Sequence, residues 1–218
     1  MTEHGNRVAF LDRARTFAAR GTPENVAHPP PAAQNGPVPI AYLTLDDNDL
    51  VGSFERNATA SLLNVHRSAT VDVDYLRMLV EDNGIAMAVV SQEPLAQAVG
   101  EQLRDLGVDV RPYDRHIAET ADLGITAPFA AIAATGSLVQ DSSLEGARGA
   151  SLLPRLHLAV VATGRIVATT ANVLVAFGSH PMPANIVFIT GPSRTGDIEM
   201  ILTVGVHGPV AVHVCLVD

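Results

Sequence analysis

"IAMAVVSQEPLAQAVGEQLRDLGVDVRPY", residues 85–113, decides the fold class. Its first six residues are a short, unbroken apolar run, which reads as a strand buried on both faces. "SQEPLAQAVGEQLRDLG" follows as a helix, with Ser91 or Gln92 near its cap and Gly107 as its stop. "VDVRPY" (108–113) is a second strand. Strand, helix and strand within 30 residues is the sequence form of a βαβ unit. Such units build parallel sheets covered by helices.

Working outward, the same grammar repeats. "LDDNDLVGSFERNATASLLNV" (45–65) predicts a helix capped by Asp46 to Asn48. "TVDVDYLRMLVEDNG" (70–84) predicts another, with Thr70 as cap and Asn83-Gly84 as stop. The second half changes character. "APFAAIAATGSLVQD" (127–141) reads as two strands hinged at Thr135-Gly136. "LHLAVVA" (156–162), "NIVFIT" (185–190) and "PVAVHVCLV" (209–217) read as strands, and "IVATTANVLVAFG" (166–178) as a helix. The expected architecture is α/β: a Rossmann-like, mostly parallel sheet with helices on both faces and a β-rich insertion or edge in the second half. Residues 1–40 stand apart, as a helix over "NRVAFLDRARTFAARG" and a proline-rich arm over "TPENVAHPPPAAQNGPVP". Residues 41–218 are then expected to form one domain.

Composition narrows the function classes. Hydrophobic residues make up 47% of the chain, so a core can form. With no tryptophan and only six phenylalanines and three tyrosines, that core must be largely aliphatic. The net charge of −9 argues against a nucleic-acid backbone or an anionic membrane surface as partner. A single cysteine, Cys215, excludes an intrachain disulfide and a cysteine-ligated iron–sulfur cluster held by this chain alone. The charged N-terminus and the absence of a long apolar run lead to the expectation of a cytoplasmic protein. The histidines show no HExxH and no close cluster of ligand spacing, so no metal set is assigned.

Three polar stretches beside apolar runs invite a functional reading. In "TGPSRTGDIEM" (190–200), free backbone N–H groups after Gly191, with Ser193, Thr195 and Arg194, could bind an anion. Equally, Ser193 or Thr195 could cap a helix whose dipole Asp197 and Glu199 complement. In "ATGS" (134–137), Gly136 lets the backbone turn or approach a ligand closely, with Thr135 and Ser137 as small donors; a kinked strand explains it as well. His207 in "VGVHGP" adjoins a strand end, and Glu145 and Arg148 fall in a loop where they could meet a carboxylate or stay solvated. There is no GxSxG elbow, Walker loop or GxGxxG.

Taken in order, "ITAPFAAIAATGSLV", "ARGASLLPRLHLAVV" and "ITGPSRTGDIEMILTVGVHGPVAVHVCLV" resemble the lactate-utilization protein C family, the LUD domain, over residues 122–218. The resemblance implies a fold like that of the ribose-5-phosphate isomerase and CoA-transferase group. It also implies a part in oxidising L-lactate to pyruvate beside partner proteins that carry the iron–sulfur clusters. The family's polar positions fall on Thr135, Gly136, Ser137, Arg148, His157, Gly191, Ser193, Thr195, Asp197, Glu199, His207 and Gly208. Ser137 stands where a second threonine is usual, and Arg148 where two arginines are common. From these the expected ligand-binding set is Thr135, Gly136, Ser137, Arg148, Ser193, Thr195, Asp197, Glu199 and His207, around a small anionic metabolite. No catalytic residue carries over. Two other readings stay open: a stand-alone isomerase or acyl/CoA transferase, with Glu145 or Glu199 as the glutamate to test, and a ligand-binding module without turnover. A homo-oligomer is compatible with all three.

Overall fold

The computed structural model describes residues 45–142, 146–178, 183–195, 203–204 and 208–218. The chain divides into a unit Met1–Ala41, outside those residues, and a unit Tyr42–Asp218 that holds them all. The helix and arm expected over residues 1–40 therefore lie outside the described residues.

The βαβ unit read from residues 85–113 is present. Strand β2 (Met87–Val90) leads through helix α3 (Pro94–Asp105) to strand β3 (Asp109–Pro112), which pairs with β2 in parallel. It occupies one end of a six-stranded, all-parallel sheet. The remaining strands are β1 (Asn64–Ser68), β4 (Leu123–Thr126), β7 (Leu156–Ala162) and β12 (Ala211–Val217), in the spatial order β1-β12-β7-β4-β2-β3. The longest pairing joins β7 to β12, Leu156 opposite Ala211 through Ala162 opposite Val217. Both are central, and both are almost continuously apolar, as strands covered on two faces must be.

Helix α2 (Val73–Asn83) and α3 cover one face. Leu76, Leu79, Val99 and Leu103 pack there on Leu123, Leu156, Leu158 and Val160. On the other face lie α1 (Leu50–Ala60), α4 (Arg115–Ala118) and α5 (Ala147–Leu152). A second sheet shares that face: β5 (Ala130–Ile132), β6 (Ser137–Asp141), β8 (Ile166–Val167) and β9 (Ile186–Ile189), in the order β8-β5-β6-β9. Leu138, Ala131 and Ile166 pack against Ala159, Val161 and Val214 of the main sheet. The far side of the small sheet is closed by α6 (Thr170–Gly178) through Val173 and Phe177. This is the β-rich element expected in the second half. A two-residue ribbon pairs β10 (Arg194–Thr195) with β11 (Thr203–Val204).

The structure corrects several local expectations. Helix α1 is capped by Asp49, whose carboxylate accepts from Gly52 N at 2.8 Å, and α2 by Asp72 rather than Thr70. Asp49→Ala should therefore cost about 1 kcal/mol of stability by urea denaturation, the usual worth of an N-cap. Helix α1 stops at Ala60, and Leu62 turns the chain at φ +65, so "NVHRS" leaves the helix and pairs with β12. "IVATTANVLVAFG" is split, its first two residues forming β8 alongside β5. Ser193 leads into strand β10 instead of a helix, so it caps nothing. Arg148 sits on α5, not in a loop.

Candidate functional site

In an open parallel sheet, ligands bind beyond the carboxyl ends of the strands, where neighbouring strands send their connections in opposite directions. Here that place is between β2 and β4. From β2 the chain runs outward to the edge strand β3; from β4 it runs the other way, to β7. Ser91 N donates to Ile125 O at 3.0 Å and ties the two strand tips together. Above them opens a crevice of about 550 Å³, within the range of small-molecule sites. Its walls are apolar, from Pro94 and Leu95 on one side and Pro128 and Phe129 on the other. Phe129 stacks on Phe177 of α6 with ring centroids 4.3 Å apart.

The crevice floor is polar and ordered. Gln140 of β6 has the same parity as Leu138, so it faces the main sheet, and it is 1% exposed. Its Nε2 donates to Glu93 Oε1 at 3.1 Å. The other Glu93 oxygen accepts from the Ser91 hydroxyl. Gln97 Nε2 donates to Ser91 O at 2.5 Å and holds that corner in turn. Gln140 Oε1, though buried, accepts nothing from the described residues. Asp141 and Arg165 complete the rim.

The described members of the expected ligand-binding set fall in three places. Thr135 and Ser137 meet Thr190: Thr135 Oγ1 donates to Ser137 Oγ at 2.7 Å, which lies 2.7 Å from Thr190 Oγ1. The "ATGS" turn and the start of "TGPSRTGDIEM" are thus joined by a hydroxyl chain. Gly136 (φ +63) lies against α1, where a Cβ would stand 2.5 Å from Ala58 Cα. Asn57 Nδ2 donates to Ala133 O at 2.8 Å and clamps the same turn. Ser193 N donates to Pro209 O at 2.9 Å, beside Gly208. Pro209 and Gly208 precede β12, so this group lies at the amino end of the parallel sheet, away from the crevice. Arg148 lines a separate cavity, also of about 550 Å³, with Arg115, Tyr113, Ser142 and Asn185. Thr195 is described in its backbone only, and Asp197, Glu199, His207 and Glu145 lie outside the described residues.

His157 is wholly buried on β7, with Nε2 2.9 Å from Thr126 Oγ1 and Nδ1 without a partner among the described residues. Burial, aided by the nearby His213, pushes its imidazole down to about 3, so it is neutral at physiological pH. His213, on the opposite face, is 3.0 Å from Tyr75 Oη through Nδ1. Burial pushes the Cys215 thiol up to about 12, as befits a protonated core residue. Among the described residues no group of three or more His, Cys, Asp or Glu is placed to hold a metal ion, and no helix is long and apolar enough to cross a membrane.

Sequence reading missed Glu93, Gln140 and Arg165. The one signal was Ser91-Gln92-Glu93 itself, three polar residues straight after an apolar strand. It could point to the crevice only once β4 was known to lie beside β2.

The comparisons with known proteins agree with this architecture. Lactate utilization protein C 1 of Bacillus mycoides is 30% identical over 98% of this chain and 97% of its own. Lactate utilization protein C of Macrococcus caseolyticus is 33% identical over 98% and 96%. The match to the Shouchella clausii protein of that name is 39% identical but takes in 46% of each chain. A crystal structure of a DUF162 family protein from Deinococcus radiodurans superposes with a TM-score of 0.58 over 80% of this chain and all of that one, at 21% identity, a likeness of fold. A model of the LUD domain matches residues 54–217, from α1 to the end of β12, and the chain belongs to the LUD domain family.

Proposed function

We propose that this chain is a component of a system that oxidises L-lactate to pyruvate, and that it holds a small carboxylic acid in the cavity framed by Arg115 and Arg148. The observation that carries this reading is that two arginines line one cavity, together with Ser142 and Asn185. A guanidinium matches a carboxylate with two parallel hydrogen bonds. Tyr113 packs against Gly146 and Gly149, whose lack of side chains leaves room for its ring, and so shapes the wall beside Arg148. Arg115 also faces Glu119 at 3.3 Å, an exposed pair worth little, with which a carboxylate ligand can compete. The names of the relatives that span the whole chain supply the lactate reading. Removing two electrons and two protons from lactate requires an acceptor. With one cysteine in the chain, cysteine-ligated iron–sulfur clusters belong to partner proteins. The remaining expected residues, Thr135, Ser137, Ser193, Thr195, Asp197, Glu199 and His207, stay candidates for ligand or partner contacts.

Calorimetric titration of the full chain with pyruvate and L-lactate tests this. Arg148→Ala and Arg115→Ala should each weaken binding about tenfold, the worth of one charge-assisted hydrogen bond at an exposed site. Disruption of the gene should abolish growth on L-lactate, with rescue by the wild-type gene and not by the double variant. Unchanged affinity in both single variants overturns the cavity assignment, and undiminished growth overturns the lactate role.

A further inference from the structure

We propose that the crevice between β2 and β4 binds a nucleoside group, that is, a flat apolar body bearing hydroxyl or amino donors. This is a second site, and it does not rest on the lactate reading. Its floor offers acceptors. Gln140 Oε1 is buried and unpartnered among the described residues, while Nε2 of the same amide is committed to Glu93. The amide is therefore held in one orientation, with its oxygen left to accept. Glu93, fixed by Ser91 and Gln140, keeps lone pairs on both oxygens for further donors. Such a floor calls for a ligand that donates.

A three-carbon acid fits badly here. Its carboxylate would meet the Glu93 carboxylate on the crevice floor. A nucleoside meets each requirement. The ribose diol or an exocyclic amine donates to Gln140 and Glu93, and the base lies between Pro94 and Leu95 on one side and Pro128 and Phe129 on the other. Stacking on Phe177 holds Phe129 in place for that contact. The position, beyond the carboxyl ends of two strands whose connections diverge, is where parallel sheets admit such ligands.

Titration of the full chain with adenosine, guanosine, cytidine and uridine is the test. At least one should bind saturably. Gln140→Leu, which removes the acceptor, should weaken that binding at least tenfold. Ala127→Leu, which adds bulk at a residue that lines the crevice, should do the same and decides the matter if Gln140→Leu folds poorly by circular dichroism. Arg148→Ala, in the other cavity, should leave nucleoside binding unchanged. Absence of saturable binding by all four nucleosides overturns the proposal. So does equal binding in the wild type and Ala127→Leu, or displacement of the bound nucleoside by pyruvate. Loss of pyruvate binding in Arg148→Ala bears only on the carboxylic acid cavity, so the two readings fail separately.

Discussion

Gly136→Ala is expected to destabilise the protein by about 2–5 kcal/mol, from two additive costs. The first is conformational. Gly136 has φ +63, in the left-handed region, where an L side chain crowds the following carbonyl. The second is steric. A Cβ would overlap the backbone nitrogen of Ala58 and come within 2.5 Å of its Cα, and both belong to a helix that cannot yield locally. To relieve the overlap, the hairpin between β5 and β6 must lift off α1. That would stretch the hydrogen bonds from Asn57 Nδ2 to Ala133 O and Ala134 O, at 2.8 and 3.3 Å. A loss of this size is a large share of the 5–15 kcal/mol that holds a typical domain folded. Urea denaturation of the two proteins measures it. Unchanged stability, with ligand binding lost, would instead mark Gly136 as the place where a ligand approaches the backbone.

Acid should unfold this protein early, and His157 is the main reason. Buried on β7, the imidazole has its pKa pushed down to about 3, against about 6.5 in the unfolded chain. The sign follows from proton uptake. Between these values the unfolded chain binds a proton that the native protein refuses. Stability is thus unaffected by this group above pH 6.5 or so, and falls as pH drops below it. The slope approaches about 1.4 kcal/mol per pH unit, so roughly 3 kcal/mol is lost by pH 4.5. His213, also lowered by burial, adds to the loss in the same direction. Chemical denaturation at pH 7.0, 5.5 and 4.5 should therefore give steadily lower stability. His157→Gln keeps a polar group for Thr126 but cannot titrate. It should start less stable at neutral pH and lose less on acidification, with His213 contributing to the slope that remains. Equal slopes in the two proteins would mean that His157 takes up its proton in the native state as readily as in the unfolded chain.

Much of the fold was legible because it rests on local patterns. "LHLAVVA" gave β7 to the residue, since a strand buried on both faces must be apolar without a break. Gly84 stopped α2 in the left-handed conformation, as Asn83-Gly84 had suggested. The hinge at Thr135-Gly136 proved to be the turn between β5 and β6. The misses share a cause. β1, β8, β10 and β11 are edge or very short strands, and β4 has four residues in "LGIT". None carries a run long enough to read as a strand from its pattern alone. β1 exists because Asn64–Ser68 lies beside His213–Val217, a pairing that spans the length of the described chain.

The same division runs through the sites. By itself, the sequence determined the α/β class, the parallel core, the aliphatic interior, the lack of cysteines for a cluster and the family resemblance. Each depends on composition, on spacing within one element or on motifs in order. Only the tertiary structure decided which polar residues share a space. It gathered Ser91 and Glu93 from the tip of β2 and Gln140 from the small sheet into one crevice. It joined Thr135 and Ser137 to Thr190, and it set Ser193 and Gly208 at the opposite end of the sheet. The physical reason is strand order. A site at the tips of β2 and β4 exists only after the chain has passed out to β3 and returned across the sheet, and no local pattern encodes that return.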